Sequence, residues 1–159
     1  MKHVSRMTIT TVALLILGIV LSGRDAIGQT AKDLVGVWTP VSVEAFGPNP
    51  KGLLIFEANG RFSLQLLKAD LPKYASGRRD QGTDSENKTT VQGAISYYGT
   101  YSVNGTDLVF HVEACSFPNW TGTDQKRHNV TLSGDELKYT NPAPSVGGPS
   151  TVLVWKRAK

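Results

Sequence analysis

The sequence predicts an all-β domain, an eight-stranded antiparallel up-and-down barrel with one long polar loop or short helix over residues 68–94. Three observations carry this. Asn59-Gly60, Asn104-Gly105 and Gly134-Asp135 each separate two runs rich in β-branched and aromatic residues; such pairs accept the positive φ of a tight hairpin. With 16 Gly and 8 Pro in 159 residues, the chain is punctuated too often for long helices. Eight short strands also leave exposed edges unless the sheet closes, and a hairpin succession closes most simply as a barrel. A sandwich would fit the strand count but not the hairpin succession.

The elements follow in order. Lys2 and Arg6 precede an apolar run, Met7–Leu21 (MTITTVALLILGIVL), and Ala26-Ile27-Gly28 then supplies small residues. That is the pattern of a secretory signal peptide cleaved after Gly28. The run of 15 residues is short of the roughly 20 that span a bilayer. Export to the periplasm or the exterior is therefore expected, with residues 29–159 as the barrel domain and no stable membrane insertion of the mature chain. Strands are expected at Leu34–Glu44, Gly52–Glu57, Arg61–Leu67, Ile95–Val103, Asp107–Cys115, Lys126–Ser133, Glu136–Asn141 and Ser150–Lys156. The segment between Leu67 and Ile95 is polar, with a short helix near Ser85–Gln92. Long segments of this kind serve as lids or binding loops.

Charge and motif content exclude several functions. The net charge is +4, but removing residues 1–28 takes away Lys2, Arg6 and Arg24 against Asp25, leaving +2. The remaining basic residues form scattered doublets such as Arg78-Arg79 and Lys126-Arg127, not the stripe with stacking aromatics that nucleic acid requires. Cys115 is the single cysteine, so no intramolecular disulfide forms. His111 and His128 lack further ligands at metal spacing, so no metal is expected. There is no P-loop, dinucleotide fingerprint or nucleophile elbow, and no cofactor is expected. Oligomeric state is left open.

Candidate site residues emerge from strand parity. His111 and Glu113 are two apart and share a face, opposite Leu108, Phe110 and Val112. Turned inward, they would place a His and a carboxylate in an apolar cavity, suited to proton transfer or to gripping a polar head. Turned outward, they are solvated residues. Gln65 and Tyr98 are further polar candidates on their strands. In Ser116–Gln125 (SFPNWTGTDQ), Asn119 and Trp120 either touch a ligand at the barrel mouth or plug the barrel end and satisfy the turn. Arg127, just after it, either holds this loop or faces the cavity.

Gly36-Val37-Trp38 resembles the G-x-W signature of lipocalins, and LVGVWTPVSVE, FGPNPKGLLIFEANGRFSLQL, YYGTYSVN, FHVEACSFPNWTGTDQKR and the final LVWKR are similar to the small bacterial and fungal lipocalin-like domain proteins. The resemblance implies a lipocalin-like barrel in which Gly36 and Trp38 close the base under Arg157, and it carries no settled activity. His-Val-Glu recurs at this position in that family, which favours the inward option for His111 and Glu113. The expectation is a binder of a small hydrophobic molecule held in the interior by Gln65, Tyr98, His111, Glu113, Asn119, Trp120 and Arg127. The alternative is a cofactor-free isomerase or cyclase using His111 and Glu113 as acid and base. Both require an interior cavity of some hundreds of Å³ with His111 in its wall.

Overall fold

The computed structural model describes residues 30–159; the proposed signal segment, residues 1–28, lies outside them. Eight strands run in chain order round a closed barrel: β1 (Gly36–Val43), β2 (Lys51–Phe56), β3 (Arg61–Leu67), β4 (Ala94–Asn104), β5 (Asp107–Cys115), β6 (Asp124–Ser133), β7 (Glu136–Asn141) and β8 (Thr151–Arg157). Every neighbouring pair is antiparallel, including β1 with β8, which closes the sheet through Thr39↔Lys156 and Pro40↔Trp155.

Alternation along the strands sorts side chains into two faces. Phe62, Leu64 and Leu66 of β3 are buried while Arg61 is exposed and Ser63 and Gln65 are half-buried outside. Ile95, Tyr97 and Tyr101 of β4 and Leu108, Phe110 and Val112 of β5 also point inward. The centre is aromatic: the Phe110 ring lies 4.4 Å from Phe62 and 6.0 Å from both Phe56 and Tyr97. Burying each such side chain contributes about 1.5–3 kcal/mol.

Two helices flank the barrel. The short α1 (Ala31–Leu34) is opened by Thr30 and Asp33 in a reciprocal capping box. It occupies the start of the stretch expected to be a strand from Leu34. The longer α2 (Asp84–Gly93) lies in the polar segment, where a short helix was expected. Thr83 and Glu86 cap it reciprocally, and the Glu86 carboxylate also accepts from the Ala75 amide at 2.8 Å, anchoring the preceding loop. No helix among the described residues is long and apolar enough to cross a membrane.

Candidate functional site

One barrel end is sealed by α1 and the residues around it. The Trp38 indole, fully buried, donates to the Leu34 carbonyl at 2.8 Å. The Arg157 guanidinium lies 4.2 Å from the centre of the Trp38 ring and donates to the carbonyls of Val35 at 2.7 Å and Asp33 at 3.0 Å. Gly36 is required beside it: its φ is +136°, and a Cβ there would come within 2.7 Å of Arg157 Nη1. Gly36, Trp38 and Arg157 thus meet in one closure.

The opposite end is open and covered by loops. Beneath them is a cavity of about 40 Å³, room for a few atoms rather than a whole drug-sized molecule. Leu64, Leu66, Ile95 and Leu153 form its apolar walls, and Tyr97, Arg127 and Asn141 supply polar atoms. Trp120 and Val146 line it from the covering loops. Trp120 ends a short 3₁₀ turn, Pro118–Trp120, that Pro118 starts, and its ring packs edge-on against Tyr97 at 5.6 Å.

A second space, about 520 Å³, lies against the rim outside the wall. Gln65 and Leu67 of β3, Val91 of α2, Phe117, and the β7–β8 loop residues Ser145 and Val146 border it. Ile95, Ser145 and Val146 line both spaces, so the cavity and the groove are neighbours across these residues.

Arg127 is 2 % exposed and lies within the barrel. It donates to its neighbour's carbonyl on Lys126 at 2.8 Å and, at 3.5 Å, to the Tyr97 hydroxyl. Its guanidinium carbon sits 5.6 Å from the ring centres of Phe110 and Trp120. Tyr97 and Tyr139 are both buried, and burial raises both phenol pKa values, with Arg127 opposing the rise. The Tyr139 hydroxyl and the Trp155 indole N–H are close enough to influence each other, yet neither makes a hydrogen bond of good geometry.

His111 and Glu113 require a correction: both face outward. The same alternation that buries Leu108, Phe110 and Val112 leaves them outside, because the apolar face is the one that gains by leaving water. Each has an outer partner. His111 Nδ1 lies 2.8 Å from Asp124 Oδ1 on β6, and Glu113 receives a bidentate pair from Arg61 at 2.8 Å per bond. The Arg61 guanidinium holds the Glu113 carboxyl below its ordinary pKa. The acid–base pair needed by an isomerase or cyclase is therefore not assembled in the interior.

Tyr98 is 47 % exposed and also outside. Gln65 donates to Ser63 at 2.8 Å on the outer face and borders the groove rather than the cavity. Asn119 is exposed in the 3₁₀ turn. Of the seven candidates, Trp120 and Arg127 line the interior cavity. Tyr97 joins Arg127 in the lining, and Tyr139, with Trp155 beside it, is buried within electrostatic reach of Arg127; the sequence pattern does not single out these three. Among the described residues no group of three or more His, Cys, Asp or Glu could hold a metal.

A family model described as a lipocalin-like domain matches residues 36–158. The chain belongs to the lipocalin-like domain family. The matched span begins at Gly36 and includes Trp38 and Arg157, so the lipocalin-like match contains these three closure residues, while α1 and Val35 precede it. Within the curated proteins, a protein of Aspergillus oryzae named a 4'-hydroxy-3'-methoxypropiophenone carrier protein is 33% identical over 106 residues. That alignment covers 60% of this chain and 95% of the relative.

Proposed function

We propose that this lipocalin-like protein is an exported carrier of a small, mostly apolar molecule held at the open end of the barrel. The molecule's apolar body would lie in the rim groove and one end would enter the cavity. The observation that carries the reading is the shared wall: Ile95, Ser145 and Val146 line both a 40 Å³ cavity and a 520 Å³ groove. Displacing the Val146 loop would join the two into a volume in the usual range for a small-molecule site. The loop is suited to this, since Gly147 and Gly148 both adopt positive φ and form no strand.

Binding would be driven by removing apolar ligand surface from water. That a relative is named a carrier of an aryl ketone supports the same class of cargo here. Export rests on the sequence of the first 28 residues. The test is a titration of the purified barrel with neutral 4-methoxypropiophenone, followed by intrinsic fluorescence. Trp38 and Trp155 are fully buried, so quenching should arise at Trp120, and Trp120→Phe should remove it. Val146→Asp should weaken binding, because it sets a charge into the shared wall. Saturable binding lost in Val146→Asp supports the proposal, whereas no binding, or binding indifferent to Val146, refutes it.

A further inference from the structure

The interior polar cluster is unbalanced in one chemical respect. An Arg side chain has five N–H donors and no acceptor, and it stays charged at any physiological pH. The indole of Trp155 is a donor only. Around them stand the hydroxyls of Tyr97 and Tyr139, which burial keeps protonated. The cluster is rich in donors and holds no anion.

A buried charge without a partner is unfavourable by several kcal/mol, so the missing counter-charge calls for an explanation. The neighbouring strands do not provide it. Glu113 is taken by Arg61, Asp124 by His111 and Asp107 by His128, all on the outer face. None of the ion pairs among the described residues includes Arg127. Inside the barrel its hydrogen bonds run to one carbonyl and, at 3.5 Å, one hydroxyl.

The backbone goes out of its way to bring this charge inside. Alternation back from Leu132 and Val130 would turn His128 inward and Arg127 out. Instead Asn129 adopts φ +54°, and the pairing of β6 with β7 slips between His128 and Thr131. The extra residue reverses the alternation, so that Arg127 and Val130, three apart, are both buried. Bulges of this kind commonly re-aim a side chain beside a binding site, and Asn is among the few residues that tolerate the conformation.

We propose that Arg127, supported by the Tyr97 hydroxyl, is the subsite for an oxyanion, a carboxylate or a phenolate, carried on the apolar molecule that enters the open end. This rests on the carrier reading and adds the charge of the cargo. The guanidinium supplies paired donors to the oxyanion, and the buried Tyr139 hydroxyl, within electrostatic reach of Arg127, is a further donor behind it. Phe110 and Trp120 flank the guanidinium and shield the pair from water. Enclosure is what makes such a pair strong.

The test compares matched probes by calorimetry at neutral pH: 3-phenylpropionate against its methyl ester, and, at mildly alkaline pH, 4-nitrophenolate against 4-nitroanisole. The anion of at least one pair should bind tenfold or more tighter than its neutral analogue, a ratio of about 1.4 kcal/mol, and which pair does so separates carboxylate from phenolate. Arg127→Met should bring that ratio to about one while the ester or ether binds as before, and Arg127→Lys should keep part of it. The Arg127 Nε–H nuclear magnetic resonance signal of the unmutated protein should shift with the anion and not with the neutral probe, a readout independent of how the variants fold. Equal binding of anion and neutral analogue overturns the oxyanion subsite and leaves the carrier reading standing. Binding of neither overturns both.

Discussion

Replacing Arg157 by Ala should destabilise the sealed end more than any other single surface-reaching side chain. The residue makes two charge-assisted bonds to backbone carbonyls, at 2.7 and 3.0 Å, and stacks on Trp38 at 4.2 Å. A hydrogen bond to a charged group contributes about 1.5–3 kcal/mol and a cation–π contact about 0.5–2 kcal/mol. The side chain is 30% exposed, so solvent screening trims the total to about 2–4 kcal/mol. For a domain of this size that corresponds to a fall in Tm of about 8–14 °C. Thermal and urea melts followed by near-ultraviolet circular dichroism would measure it. Arg157→Lys separates charge from shape. An ammonium keeps the positive charge over the ring but cannot fork to two carbonyls, so it should recover no more than about half of the loss. A melt of Arg157→Ala within about 0.5 kcal/mol of the parent, in the range of an ordinary surface change, would refute the argument, as would full recovery by Lys.

Three further outcomes are expected. Tyr139→Phe removes a buried hydroxyl that has no hydrogen-bond partner, so the melt should stay within about 0.5 kcal/mol of the parent or rise; a loss above about 1.5 kcal/mol would show that the hydroxyl is engaged. Burial pushes the Cys115 thiol pKa up, so iodoacetamide at mildly alkaline pH should label it more slowly than an unstructured cysteine peptide, with full labelling appearing only in denaturant by mass spectrometry. Because Arg61 lowers the Glu113 pKa in the folded state, its stabilisation is present above the ordinary carboxylate range and is lost as pH falls through the lowered folded value. Glu113→Gln should therefore melt lower than the parent at neutral pH, the difference shrinking as pH falls below the ordinary carboxylate range and gone only once the lowered folded value is passed; a difference constant down to strongly acidic pH would contradict the pairing.

The architecture was legible because local signals agreed with one another. Each Asn-Gly or Gly-Asp turn is a real hairpin, and the strand limits differ from the expected ones by a residue or two. The exception is the start, where Thr30 and Asp33 form a capping box and open α1 before the first strand. The T-x-x-D spacing was there to be read. The site was harder for two physical reasons. Parity tells which residues share a face, but not which face is inside. For β5 the answer lay in the opposite face, since Leu108, Phe110 and Val112 cannot be left in water so that His111 and Glu113 may be enclosed. For β6 even parity misleads, because the slip at Asn129 reverses the alternation between Arg127 and Val130. A bulge depends on pairing with the next strand and has no strong mark in the strand's own sequence.

The β1–β8 seam has a consequence for how the molecule is made. Its contacts join residues more than a hundred positions apart: the Thr39 hydroxyl meets the Lys156 carbonyl across 117 positions, and Arg157 reaches Asp33 across 124. Hairpins such as β2–β3 can form early at small entropic expense, but the seam closes a loop of nearly the whole domain. Such long-range pairing folds in milliseconds to seconds rather than microseconds. Until Thr151–Arg157 is available, β1 and β7 both present open edges and Trp38 has no lid. The ring is therefore completed by its last strand, and the chain remains an unsealed sheet for as long as that strand is missing.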